Sequence, residues 1–158
     1  MFILAHLGLT AFLASFLSLS PLTALIASQL PDLIDKPPYI LGIFPSGRYI
    51  GHSLLFVLLF GLSTYLITRK KIIALSVSFG MLMHLIEDLP YFIPWFYPFI
   101  NYDFPKGPFK FTYTLELFIL DLIGLSLLFF LYKTNKNFRK EISSFFYKIK
   151  QILNSLNK

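Results

Sequence analysis

Residues 49–90 read "YIGHSLLFVLLFGLSTYLITRKKIIALSVSFGMLMHLIEDLP". Two apolar runs flank the basic turn "TRKK", which holds Arg69, Lys70 and Lys71. Each run, Tyr49 to Thr68 and Ile72 to Pro90, matches the about 20 residues that an α-helix needs to cross the hydrocarbon core of a bilayer. A third run from Phe111 to Tyr132 has the same length and character. Three membrane-crossing helices are therefore expected. Outside them lie an apolar N-terminal segment and a basic tail.

Composition supports a bilayer as the solvent. Of the 158 residues 56% are hydrophobic and 14% charged, and the mean hydropathy is +0.68. A soluble domain carries about a quarter charged residues, and one small core cannot absorb this much apolar surface. The fold class expected is all-α, an integral membrane bundle with residues 1–135 embedded and 136–158 forming a cytoplasmic tail. There is no cysteine, so thiolate chemistry, disulfides and Cys-based zinc sites are excluded. A net charge of +6 would suit nucleic acid, but the charges are placed as the positive-inside rule requires, and no nucleic-acid partner is expected. Arg69, Lys70, Lys71, Lys133, Lys136, Arg139, Lys140, Lys148, Lys150 and Lys158 fall on one side. Only Lys36, Arg48, Lys106 and Lys110 fall on the other. That bias puts the "TRKK" turn and the C-terminus in the cytoplasm of a multi-pass membrane protein.

The segment "MFILAHLGLTAFLASFLSLSPLTALIASQLPDLID" contains a stop-and-restart signal at "SLSP". Ser20 suits an N-cap and Pro21 a first helical position. A helix up to Phe16 or Leu17, then a shorter one from Pro21, would form a hairpin whose legs run roughly 20 Å in and about 15 Å back. That hairpin returns Asp32 to the depth of His6, whereas one straight helix would part them by close to 40 Å. A secretory signal is the rival interpretation, but "MFILAH" lacks the basic residues of an n-region. In the tail, apolar residues at 138, 142, 145, 146, 149, 152, 153 and 156 make one helical face, with Arg139, Lys140, Lys148 and Lys150 off it. Such a helix suits the anionic cytoplasmic leaflet or a partner protein.

Ionisable groups in membrane segments are expensive and default to a functional interpretation. All three histidines, His6, His52 and His84, fall near the extracytoplasmic level of this topology. Asp32 and Asp35 follow the hairpin's return leg, and Asp88 lies one turn after His84 on the same helix face. Imidazole and carboxylate together suit zinc above all, with manganese or iron as alternatives. A divalent ion would also neutralise carboxylates at that depth. Taken singly each residue has a bland explanation, such as a helix-to-helix hydrogen bond or a cap. Their common depth points to a metal site. Glu87 points about 100° away from Asp88 around an ideal helix and ranks below it.

An N-terminal His, then "LPDLID", then "GRYIGHS", then "HLIED" followed by aromatics and prolines resembles the YdjM-type inner-membrane metal-dependent hydrolases over roughly residues 5 to 100. The order of His, Asp, His and HxxxD is also similar to the metal-ligand order of zinc-dependent phospholipase C. The resemblance implies His6, Asp35, His52, His84 and Asp88 as ligands, with Asp32 a ligand or a supporting group. Gly47 stands where YdjM-type proteins commonly carry a further His, and the phospholipase's additional HxxxE is absent, so one ion is the expectation. "PSGRYIGHS" also resembles the PSGH of phosphatidate phosphatases, but position 48 is Arg where that motif needs His.

A bound divalent ion would support hydrolysis of a phosphate or acyl ester. Arg48, four residues before His52, would share its helix face and suit a phosphate oxygen. Glu116, one turn into the third run, is a candidate general base or extra ligand. Ser53 is placed to orient an imidazole. The aromatic segment 91–111, interrupted by Pro94, Pro98, Pro105 and Pro108, suits a rim or lid at the membrane interface. A lipid or lipid-linked phosphate ester fits this setting, with membrane lipids as the surrounding partners. The alternative is a non-enzymatic metal-binding or structural membrane protein.

Overall fold

A computed structural model describes residues 3–105 and 114–156. Every regular element among them is a helix: α1 (Ile3–Phe16), α2 (Pro21–Ala27), α3 (Leu30–Ile40), α4 (Leu54–Thr68), α5 (Lys71–Glu87), α6 (Leu115–Thr134) and α7 (Lys136–Leu156). The all-α expectation holds. Phe111, at the start of the third run, lies outside the described residues, as do Lys106, Lys110 and Lys158.

Local chemistry sets the boundaries. α1 stops at Phe16, and Ser18 turns the chain at φ 55. Ser20 then caps α2, its Oγ accepting from the Thr23 N–H at 3.3 Å, with Pro21 in the first helical position. α3 opens with Pro31 in its first turn and carries both Asp32 and Asp35. Ser53 caps α4 by accepting from the Phe56 N–H at 3.2 Å, so its hydroxyl serves the helix end rather than an imidazole.

The apolar runs are longer than the helices they make. α4 starts only at Leu54, because residues 49–51 fold around the Asp35 carboxylate and donate two backbone N–H groups to it. α5 ends at Glu87 with Asp88 as its C-cap. At 15 and 17 residues these helices fall short of the about 20 of a full span. α6, with 20 residues, is the one described helix long and apolar enough to cross a membrane by itself.

Small residues let the helices approach closely, as is common inside bilayers. α1 and α6 run parallel: Asp121 Oδ1 accepts from the Ala5 N–H at 3.1 Å, Gly8 meets Gly124, and Phe12 meets Phe130. A Cβ on Gly8 or Gly124 would collide with the opposite backbone. Gly80 of α5 lies equally close to the Ala24 backbone of α2. Met81, Leu85, Val77, Val57 and Ala27 form the main apolar core between α2, α4 and α5.

The bundle has two unlike ends. At one, the α4–α5 turn exposes Arg69, Lys70 and Lys71, and Ile72 shares a cleft with Asn135 and Lys140 at the start of α7. There Glu141 Oε2 also accepts from the Leu22 N–H at 3.0 Å, fastening α7 to the first turn of α2. Phe138 of α7 is buried, but Phe145, Phe146, Ile152, Leu153 and Leu156 further along it are exposed. At the other end lie the start of α1, the start of α4, the end of α5 and all three histidines.

Candidate metal centre

Asp32 Oδ1, His52 Nε2 and His84 Nε2 mark out a nearly equilateral triangle. The two nitrogens are 3.3 Å apart and the oxygen is 3.6 Å from each. All three residues are buried. Ligands at about 2.0–2.2 Å around a tetrahedral ion stand roughly 3.3–3.6 Å from one another, so these edges fit a single ion. The Asp32 oxygen is buried without a hydrogen-bond partner among the described residues, which is costly unless a cation completes it. Asp88 Oδ2 faces the triangle from 3.8 Å to His52 Nε2 and 4.0 Å to His84 Nε2. Two imidazoles and one or two carboxylates match zinc, manganese or iron chemistry.

Each member is held by its own local structure. His84 occupies the last turn of α5, and Asp88 follows as the cap. His52 precedes α4, and its Nδ1 lies 2.7 Å from Asp35 Oδ2. The same carboxylate accepts from the Tyr49 N–H at 2.7 Å and the Gly51 N–H at 2.8 Å, which leaves Asp35 fully engaged. Asp35 thereby fixes the tautomer of His52 and aims Nε2 at the triangle. The resemblance implied Asp35 as a ligand and Asp32 as a ligand or a supporting group. The geometry places Asp32 in the triangle and Asp35 behind His52 as its support.

His6 reaches the cluster from α1. Its ring lies against that of His84 with centroids 4.6 Å apart, and its Nε2 is 3.6 Å from Asp88 Oδ1. Its Nδ1 pairs with Glu87 Oε2, and Thr10 Oγ1 donates to the other Glu87 oxygen at 3.3 Å. The low rank given to Glu87 is therefore corrected. The angular argument considered α5 alone, whereas α1 crosses its end and takes up the side chain that faces away from Asp88.

Arg48 and His52 do not share a helix, because residues 48–53 form the loop around Asp35. Arg48 arrives by another route. Its Nε donates to Asp88 Oδ2 at 2.7 Å, and its guanidinium lies 4.4 Å from the Tyr91 ring centre. Lys36, which sequence reasoning missed, pairs with Asp32 Oδ2 one turn along α3. An i,i+4 Asp–Lys spacing was its available signal. Burial draws the Lys36 ammonium below its ordinary value. Burial opposes ionisation of Asp32 as well, but His84 and Lys36 outweigh it and hold that carboxyl below the usual range.

Glu116 is not gathered in. It stands on the exposed first turn of α6 and makes no hydrogen bond or ion pair with the cluster among the described residues. Asp121, to which sequence reasoning gave no role, caps the first turn of α1 and so helps to set the height of His6. The described part of the aromatic segment packs on the Asp35 loop. Tyr49 Oη and Tyr97 Oη are 2.5 Å apart, and Phe104 packs edge-on to Tyr49.

An all-helical, strongly apolar chain with a buried His–Asp triangle at one end defines a helical protein with a candidate metal centre. The chain matches the family model of the YdjM inner membrane protein over residues 1–149, and it belongs to that family of inner membrane proteins. No curated protein and no solved structure matches it.

Proposed function

We propose that this chain is a membrane-embedded, metal-dependent hydrolase acting on a phosphate ester of a lipid or lipid-linked substrate. The observation that carries it is the Asp32–His52–His84 triangle, whose edges suit one divalent ion, zinc before manganese or iron. Such an ion supplies Lewis acidity toward a phosphoryl oxygen and a source of hydroxide near neutral pH. The protein supplies the rest. Arg48 and Lys36 bring two cations to the Asp88 and Asp32 carboxylates, where an incoming phosphate would compete for them. His6, held at Nδ1 by Glu87, presents Nε2 toward Asp88 and is the group placed to pass a proton to a leaving oxygen. Glu116, expected as a general base or an extra ligand, stays a weaker candidate on its exposed turn.

In the membrane, α1 and α2 form a hairpin and α4, α5 and α6 make three crossings. The basic end and α7 face the cytoplasm, and the metal site faces the opposite side. The aromatic segment forms the rim over it. Because the chain has no cysteine, single cysteines at Asn137 and Phe99 allow a clean test. An impermeant maleimide applied to whole cells should label position 99 and spare position 137.

The decisive assay is hydrolysis by reconstituted protein of long-chain phosphate monoesters and diesters, with metal and after chelation. Metal-dependent turnover lost in His84→Ala is expected. Stoichiometric metal with no hydrolysis of any ester would leave a metal-binding membrane protein without this activity.

A further inference from the structure

An apolar cavity of about 290 Å³ opens between α1, α6 and the end of α5. Leu9, Leu120, Ile123 and Leu127 line it, and its polar lining is confined to His6 and Glu87. Leu9, Leu120 and Ile123 are 37%, 42% and 50% exposed, so the mouth of the cavity lies on the outer surface of the bundle. In an inner membrane protein that surface faces hydrocarbon. Gly124 brings α6 onto the α1 backbone at Gly8, and the cavity opens beside this close contact. At its inner end stands His6, which also borders the candidate metal centre: His6 Nε2 is 3.6 Å from Asp88 Oδ1, and Asp88 in turn binds Arg48.

We propose that this cavity holds one acyl chain of a bilayer lipid whose anionic phosphate headgroup sits at the metal centre. This rests on the hydrolase reading and deepens it, by making the substrate a membrane lipid that enters sideways between α1 and α6. The chemistry favours a chain over other occupants. A water-soluble ligand would leave Leu120, Ile123 and Leu127 facing nothing they can bind, whereas a chain extends the apolar contact from the bilayer inward. The polar end then meets His6 first and the cations Arg48 and Lys36 beyond it. A lipid held in this way never has to leave the leaflet.

The test uses dodecyl phosphate, which joins a single chain to a phosphate, and inorganic phosphate as the headgroup alone. Binding to full-length purified protein is measured by native mass spectrometry and titration, for wild type, Ile123→Trp and Leu120→Trp. Leu122→Trp, at an exposed α6 position outside the cavity, is the control. The expected result is 1:1 binding of dodecyl phosphate, weakened about tenfold or more by either cavity-filling variant, as excluding roughly two methylenes from apolar contact would do. Leu122→Trp should bind like wild type, and inorganic phosphate affinity should be the same in all four proteins. Using two cavity variants guards against one that fails to fold, which thermal melting reports. Dodecyl phosphate affinity unchanged in both folded variants overturns the acyl site, even if the protein proves to be a hydrolase. Weakened binding in a protein that hydrolyses no phosphate ester upholds the acyl site and removes the hydrolase reading.

Discussion

The two ends of α5 are built by opposite rules. At its start, Lys70 and Lys71 are exposed beside Arg69, and their side chains make no hydrogen bond or ion pair among the described residues. At its finish, His84 and Asp88 are buried and every polar neighbour is held by another: His52 by Asp35, His6 by Glu87, Asp88 by Arg48 and Asp32 by Lys36. In an apolar chain, buried charge is costly wherever it is not paired. Concentrating it at one end, in pairs around an Asp32 oxygen with no hydrogen-bond partner among the described residues, is an arrangement that suits an ion-binding site.

That contrast can be broken most sharply at Asp32. Asp32→Ala should weaken metal binding by more than the about 10–100-fold that supporting groups cost, as read by competition with a chelator of known affinity. His6→Gln comes next. It should keep the metal and lower turnover by about 10²–10⁴-fold, the range of general acid–base catalysis, so a loss of metal instead would make His6 a ligand. Asp35→Asn should cost about 10–100-fold in metal affinity by releasing the His52 ring, although Asp35 itself faces away from the ion position. Gly124→Val, between the two ends, should destabilise the α1–α6 contact by about 1–3 kcal/mol in a denaturation assay. At the basic end, Lys70→Gln should shift stability by no more than about 0.5 kcal/mol.

Much of this was legible in the sequence. The apolar runs, the restart at Ser20–Pro21 and the common depth of the histidines follow from periodicity, capping and charge bias, which are local properties. What could not be read is how neighbouring segments wrap. Asp32 and Asp35 lie three residues apart on α3, and nothing local says which one meets His52 Nδ1. That choice is made by the 49–51 backbone closing on Asp35. The same closure shortens the first apolar run and takes Arg48 off the helix face assigned to it. Glu87 was discounted because one helix was considered in isolation, and Glu116 was favoured because depth alone cannot report that a side chain faces outward.

Metal content of detergent-purified protein prepared without chelators tests the central claim most directly, with wild type beside His84→Ala. The predicted result is one divalent ion per wild-type chain and none in the variant. A folded wild-type protein that carries no stoichiometric divalent metal, or a variant that retains it equally, would contradict the account.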